Sequence, residues 1–142
     1  FKDHNYSCDS TFDELDESLG EALLRPTTLY VKPVLSLLHT LKPHGMAHIT
    51  GGGFYENLPR MTSNQVGYQI KRGSWEEDPI FELTRRLGGL DDREMFNIFN
   101  MGIGFVIAVA PQDVDKAIAT LQETAVQAQV IGEVTNETGV VI

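Results

Sequence analysis

The sequence is poor in basic residues and nearly devoid of cysteine and tryptophan, and it contains no long apolar run. A single cysteine, Cys8, excludes an internal disulfide, so a reducing compartment is expected and cytoplasm is the default. Eleven Lys and Arg against 20 Asp and Glu give a formal charge of −9. Such a surface repels a polyphosphate backbone, so nucleic acid is not an expected partner, although a small anion is compatible with local backbone donors. No stretch of about 18 apolar residues occurs, nor a basic stretch leading into an apolar one, and neither a membrane span nor a signal peptide is expected. The four histidines, His4, His39, His44 and His48, lack a metal-ligand spacing such as H-E-x-x-H, and no metal site is expected. The chain starts at Phe1, in FKDHNYS, without a methionine, which is the expectation for a fragment or a processed product.

What is present fits one domain spanning 1–142. At 142 residues, 42% hydrophobic and 22% charged, the chain can bury a core and needs no disorder. Asp9 to Glu21 carries six carboxylates and no basic residue, while Phe12, Leu15, Leu19 and Leu23 recur at helical spacing. This predicts an acidic amphipathic helix with a solvated face. Val34, Leu37, Leu38 and Leu41 predict a second helix with Pro33 in its first turn. MAHIT alternates as a short strand, with Met46, His48 and Thr50 on one face. FYENLPR predicts a short helix, VGYQIK a strand, and Ile80 to Leu87 a helix closed by Gly88 and Gly89. Asp91 and Glu94 form a capping box for REMFNIF, and GFVIAVA reads as a buried, central strand. Pro111 opens a last helix, and AQVIGEVTNETGVVI gives two strands around TNET. The alternation of elements predicts an α+β fold, a layered α/β/α sandwich with a mixed sheet.

Two small-residue breaks stand out. In AHITGGGFYENLPR, Gly51, Gly52 and Gly53 separate a strand from a helix. The ordinary reading is a turn. The functional reading is a phosphate cradle: glycines admit a ligand to the amide N–H groups, and the following helix N-terminus favours an anion. His48 and Thr50 would add hydrogen bonds, and Arg60 a cation. The spacing matches neither the Walker sequence nor the G-x-G-x-x-G dinucleotide pattern. In FNMGIGFVIAVAP, Asn100, Gly102 and Gly104 precede the apolar strand, either as a bulge or as the second wall of a shared cleft.

Four segments carry a resemblance: LGEALLRPTTLYVKPVLSLL, AHITGGGFYENLPR, FNMGIGFVIAV and IGEVTNETGVVI. In order and approximate spacing they resemble the C-terminal half of the phosphoribosylformylglycinamidine cyclo-ligase family, also called aminoimidazole ribonucleotide synthetase. The match spans Leu19 to Ile142, nearly the whole chain but about half of the family's protein. The resemblance implies a two-domain protomer whose N-terminal half holds most of the ATP and Mg2+ site and the homodimer contact. The implied reaction is ATP-dependent ring closure of formylglycinamidine ribonucleotide to aminoimidazole ribonucleotide in purine synthesis, by way of an iminophosphate. On this view Thr50, Gly51, Gly52, Gly53 and Arg60 bind substrate or transferred phosphate, His48 serves hydrogen bonding or proton transfer, and Asn57, Asn100 and Gly102 provide further contacts. The alternatives are a non-catalytic ligand-binding fragment, or another synthetase or kinase of the superfamily.

Overall fold

Side-chain caps set the starts of three helices, and the first cap shortens an expected element. The computed structural model describes residues 5–62 and 65–142; Phe1 and His4 lie outside the described residues. The acidic segment is helical only in α1, Leu19–Leu24. Ser18 accepts from the Glu21 amide and Glu21 accepts from the Ser18 amide, a reciprocal box that starts the helix there. Residues 9–17, expected to be helical, form turns and bends. Asp and Ser side chains in this stretch offer the backbone alternatives to helical bonding, as when Ser10 Oγ accepts from the Ser7 amide at 2.9 Å. Leu15 still packs with Leu19, Ala22 and Leu83 in a small satellite core, with Phe12 against it.

The other elements follow the sequence closely. They are α2 (Val31–Thr40), β1 (Gly45–His48), α3 (Gly53–Asn57), β2 (Gly67–Ile70), α4 (Pro79–Gly88), α5 (Asp92–Ile98), β3 (Phe105–Ala108), α6 (Val114–Gln122), β4 (Gly132–Thr135) and β5 (Gly139–Val141). α3 tightens into a 3-10 turn over Leu58–Met61, which accommodates Pro59. Asp78 caps α4 at its start and left-handed Gly89 at its end, and Asp91 and Glu94 form the expected capping box on α5.

The α+β class holds, but the strands form two small sheets in place of one mixed sheet. β1 and β3 pair antiparallel, with Met46 opposite Ile107 and His48 opposite Phe105. In the other sheet β2 is central, with β4 antiparallel on one side and β5 parallel on the other. The strands around TNET therefore flank β2 instead of pairing with each other. Gly67 permits this, because a β-carbon there would overlap the Glu137 carbonyl oxygen. β3, expected to be central and buried, is half-buried along its length in a two-stranded ribbon. Its apolar run serves two surroundings: Val106 packs on the main core, and Phe105 to Val109 line an apolar cleft of about 610 Å³ that also meets α2, α6 and β4.

The main core gathers around Phe54, which has no exposed surface. Its ring stacks on Trp75 (centroids 5.9 Å apart) and meets Phe96 edge-on at 5.6 Å. The Trp75 indole N–H donates to the Met101 carbonyl at 2.8 Å, so the loop before β3 is tied to the same cluster. Outside it, Arg72 reaches from the loop after β2 to Asp92 at the start of α5, with Glu77 3.6 Å away.

Two outcomes follow for stability. Phe54→Ala leaves a cavity in a fully packed cluster and is expected to lower the unfolding free energy by about 3–5 kcal/mol, measured by urea titration. The Arg72 guanidinium hydrogen-bonded to Asp92 holds that carboxyl below its ordinary range. A depressed folded-state value means a contribution present above the unfolded-state pKa, about 3.9, and lost as pH falls through the folded one. Asp92→Asn should therefore lower stability slightly at neutral pH and flatten its decline below about pH 4. Thermal melts across pH 2.5–7 would check this, and an acid limb identical to that of the parent chain would rule out the contribution.

Candidate functional site

The register of the β1/β3 ribbon brings both glycine-bearing loops to one end of the molecule. The strands run antiparallel, so the close of β1 at His48 faces the opening of β3 at Phe105. One residue further, the Ile49 amide donates to the Gly104 carbonyl at 2.8 Å. The 51–53 loop thus leaves the ribbon beside the 100–104 loop. The first loop also meets the end of α5 directly at the backbone, since a β-carbon on Gly53 would overlap the Phe96 carbonyl oxygen and lie 3.0 Å from that of Phe99.

The three glycines answer to three different demands. Gly53 is buried, has φ +52°, and needs the missing side chain for its approach to α5. Gly52 has φ +91°, and a β-carbon there would lie 2.6 Å from Glu56 Oε2. Gly51 is under neither constraint: it is exposed, its φ is not left-handed, and nothing lies within 4 Å of a β-carbon built on it. The Gly53 amide is consumed by the Thr50 carbonyl at 2.9 Å. Among the described residues the Gly51 and Gly52 amides have no acceptor. The bare backbone at Gly51 is therefore not required by folding.

Asn57, expected to contact substrate, is turned inward. Its side chain is 4% exposed, and its amide donates to the carbonyls of Gly53 at 2.7 Å and of Thr50 and Gly51 at 3.3 Å. With its Oδ1 accepting from Arg60 Nη1 at 3.3 Å, the group is committed to holding the loop's carbonyls inward. Pulling the carbonyls in leaves the amides free to face out. The clue in the sequence was the spacing, because Asn57 stands four residues after Gly53 on a helix. α3 itself has only five residues, so its dipole adds little to the individual donors.

Arg60 is exposed and lies 3.5 Å from Glu56 Oε2. Sequence reasoning did not single out Glu56, yet its carboxylate reaches over Gly52 and would oppose an anion there unless Arg60 draws it aside. Thr50 and His48 are exposed on one face of the strand, as the alternation predicts. The His48 ring stacks on Phe105 at 6.0 Å and meets Tyr30 edge-on at 5.7 Å, beside a groove of about 470 Å³ lined by Thr27, Thr28 and Val34.

The second loop is a closed turn. Asn100 Oδ1 accepts from the Gly102 amide at 3.0 Å and the Asn100 carbonyl from the Ile103 amide at 2.9 Å, across Met101 at φ +49° and Gly102 at φ +93°. Half of the Asn100 side chain is therefore used locally, and exposed Gly102 borders the larger cleft. Neither cleft is lined by Gly51, Gly52 or Gly53. Among the described residues no group of three or more His, Cys, Asp or Glu is placed to hold a metal ion. No helix of the described residues is long and apolar enough to cross a membrane.

The contrast among the glycines is measurable. Gly53→Ala is expected to destabilise the domain by about 2–4 kcal/mol, through positive φ and backbone overlap, and Gly51→Ala to stay within about 0.5 kcal/mol of the parent. Equal losses in urea unfolding would contradict the assignment of different demands.

Comparison with known proteins places the chain in a family. The family model described as "AIR synthase related protein, C-terminal domain" matches residues 5–142. Phosphoribosylformylglycinamidine cyclo-ligases from Bacillus cereus (strain AH187) and Bacillus thuringiensis (strain Al Hakam) are each 48% identical over 139 residues. The same holds for the enzyme of that name from Bacillus anthracis (strain CDC 684 / NRRL 3495). In each case the alignment covers 98% of this chain and 40% of the relative, so the chain spans well under half the length of these proteins. A model matched from residue 5 to 142 establishes the family, and the chain belongs to the C-terminal domain family of AIR synthase related proteins.

Proposed function

We propose that this chain is the substrate-binding part of a phosphoribosylformylglycinamidine cyclo-ligase, which closes formylglycinamidine ribonucleotide to aminoimidazole ribonucleotide in purine synthesis. The observation that carries the reading is the pair of unpartnered amides at Gly51 and Gly52, backed by inward-drawn carbonyls, the first of them exposed at a position where folding does not require glycine. Identity of 48% to enzymes of that name supports the choice of reaction.

In this reading the Gly51 and Gly52 amides and the Thr50 hydroxyl receive a phosphate of the substrate or the phosphoryl group in transfer, and Arg60 turns from Glu56 toward it. Asn57 acts through the loop it ties. His48, two residues before Thr50 on the same strand face, hydrogen-bonds the reacting amidine or moves its proton. Asn100 and Gly102 border the substrate from the neighbouring turn. ATP, when bound, supplies the phosphoryl group that makes the formyl oxygen a leaving group. ATP and magnesium are assigned mainly to the remainder of a longer, cytoplasmic, homodimeric protein. Positioning and fixed donors are what this chain contributes.

An apolar face supports the existence of that remainder. Leu24, Leu29 and Val31, around the junction of α1 and α2, are 82%, 81% and 73% exposed, apolar surface that a further part of the protein can cover. The open glycine loop likewise requires a second wall from elsewhere. In the full-length protein, Gly51→Val should raise KM for formylglycinamidine ribonucleotide about tenfold or more with an unchanged melting temperature. Unaltered kinetics would remove the loop from the site, and turnover with a different substrate of the superfamily would replace the reaction. The 142-residue chain alone, mixed with ATP, Mg2+ and substrate, should yield no product.

A further inference from the structure

Gly104 is buried, and a β-carbon built on it would overlap Tyr30 Oη and lie 2.8 Å from Tyr30 Cζ. The backbone of β3's first turn thus serves as a seat for the tyrosine ring. Tyr30 stands at the start of α2, so it is also fixed from behind by a helix. Seated there, its ring packs on Phe105 at 5.3 Å and edge-on against His48 at 5.7 Å, while His48 stacks on Phe105 at 6.0 Å. His48 is exposed on the ribbon surface, and among the described residues no protein group hydrogen-bonds its ring.

We infer that Tyr30 is a positioning residue: seated on Gly104, it clamps the His48 imidazole against Phe105 and fixes the rotamer of that ring. This rests on the reading of His48 as a group that touches substrate. Three aromatic rings in mutual contact restrict χ1 and χ2 of the exposed histidine without using either ring nitrogen, which leaves both nitrogens for substrate. The same geometry explains a glycine at 104 where β-branched or larger residues would otherwise suit a strand.

The first test is on the 142-residue chain by NMR. The His48 ring protons should carry ring-current shifts that collapse in Tyr30→Ala and in Gly104→Ala and are retained in Tyr30→Phe, which keeps the ring. Gly104→Ala should lower the melting temperature in the parent but much less in the Tyr30→Ala background, where the seat is empty; additive losses would refute the seat. In the full-length enzyme Tyr30→Ala should lower kcat about a hundredfold with a smaller change in KM, and Tyr30→Phe should restore most of it. If the NMR shifts collapse while turnover is normal, the clamp exists but His48 is not used, and the functional reading of His48 fails. If the shifts are unchanged in Tyr30→Ala, the clamp itself is overturned.

Discussion

The site depends on one close approach of backbone to backbone, that of Gly53 on the last turn of α5. A side chain at 53 would strike the Phe96 carbonyl, so only a bare residue lets the loop lie against the helix end. Phe54 follows immediately and is buried between Trp75 and Phe96, so that the loop is pinned on one side by packing and on the other by contact. Chain geometry then carries the consequence outward. With residues 53 and 54 fixed, the two preceding glycines must span the gap back to the ribbon, and Asn57 takes up the carbonyls that would otherwise face solvent. Two amides, those of Gly51 and Gly52, are left without an acceptor among the described residues while the loop's carbonyls have been spent inward.

Much of this was legible in residue order. Pro33, the Asp91 and Glu94 pair, Gly89 and the alternation of MAHIT each encode a local conformation that depends only on neighbours in sequence, and each appears where expected. The failures have the opposite character. The hydrophobic spacing of Phe12 and Leu15 signals burial, and both do contact the satellite core, but Asp- and Ser-rich backbone reaches it without helix and the cap at Ser18 delays the first turn. GFVIAVA signals apolar neighbours on both faces without saying that one of them is an open cleft. Nor could periodicity reveal that β4 and β5 enclose β2, since that order is fixed by Gly67 meeting Glu137 seventy residues away.

The candidate site was legible as composition and illegible as geometry. GGG announces tolerance of unusual backbone, and two of the three positions are explained by ordinary folding needs, so the motif overstates the ligand by the count of its letters. Asn57 looked like a ligand group because amides often are, yet near-complete burial turns its donors to carbonyls four to seven residues back, where leaving them unpaired would be costly. Glu56 and Tyr30 escaped notice for the converse reason: neither belongs to a recognisable motif, and each matters through a contact, Glu56 with Gly52 one turn back and Tyr30 with Gly104 across the fold.

Charge closes the account. A chain with a formal charge of −9 offers an anion little long-range attraction, so in the proposed reading recognition rests on short-range donors and on the Arg60 guanidinium. Arg60 is mostly exposed and is held to Glu56 at 3.5 Å, a pair that water screens and that a doubly charged phosphate can displace. The carboxylate over Gly52 then acts as a competitor that must leave, which favours ligands of higher charge over a monoanion. An open loop facing solvent screens those donors equally well, and their strength rises only when a second surface excludes water from them. The arrangement therefore makes sense as one wall of a site whose electrostatics are completed on closure, and the exposed leucines around the α1–α2 junction mark an apolar face on which such a covering surface can rest.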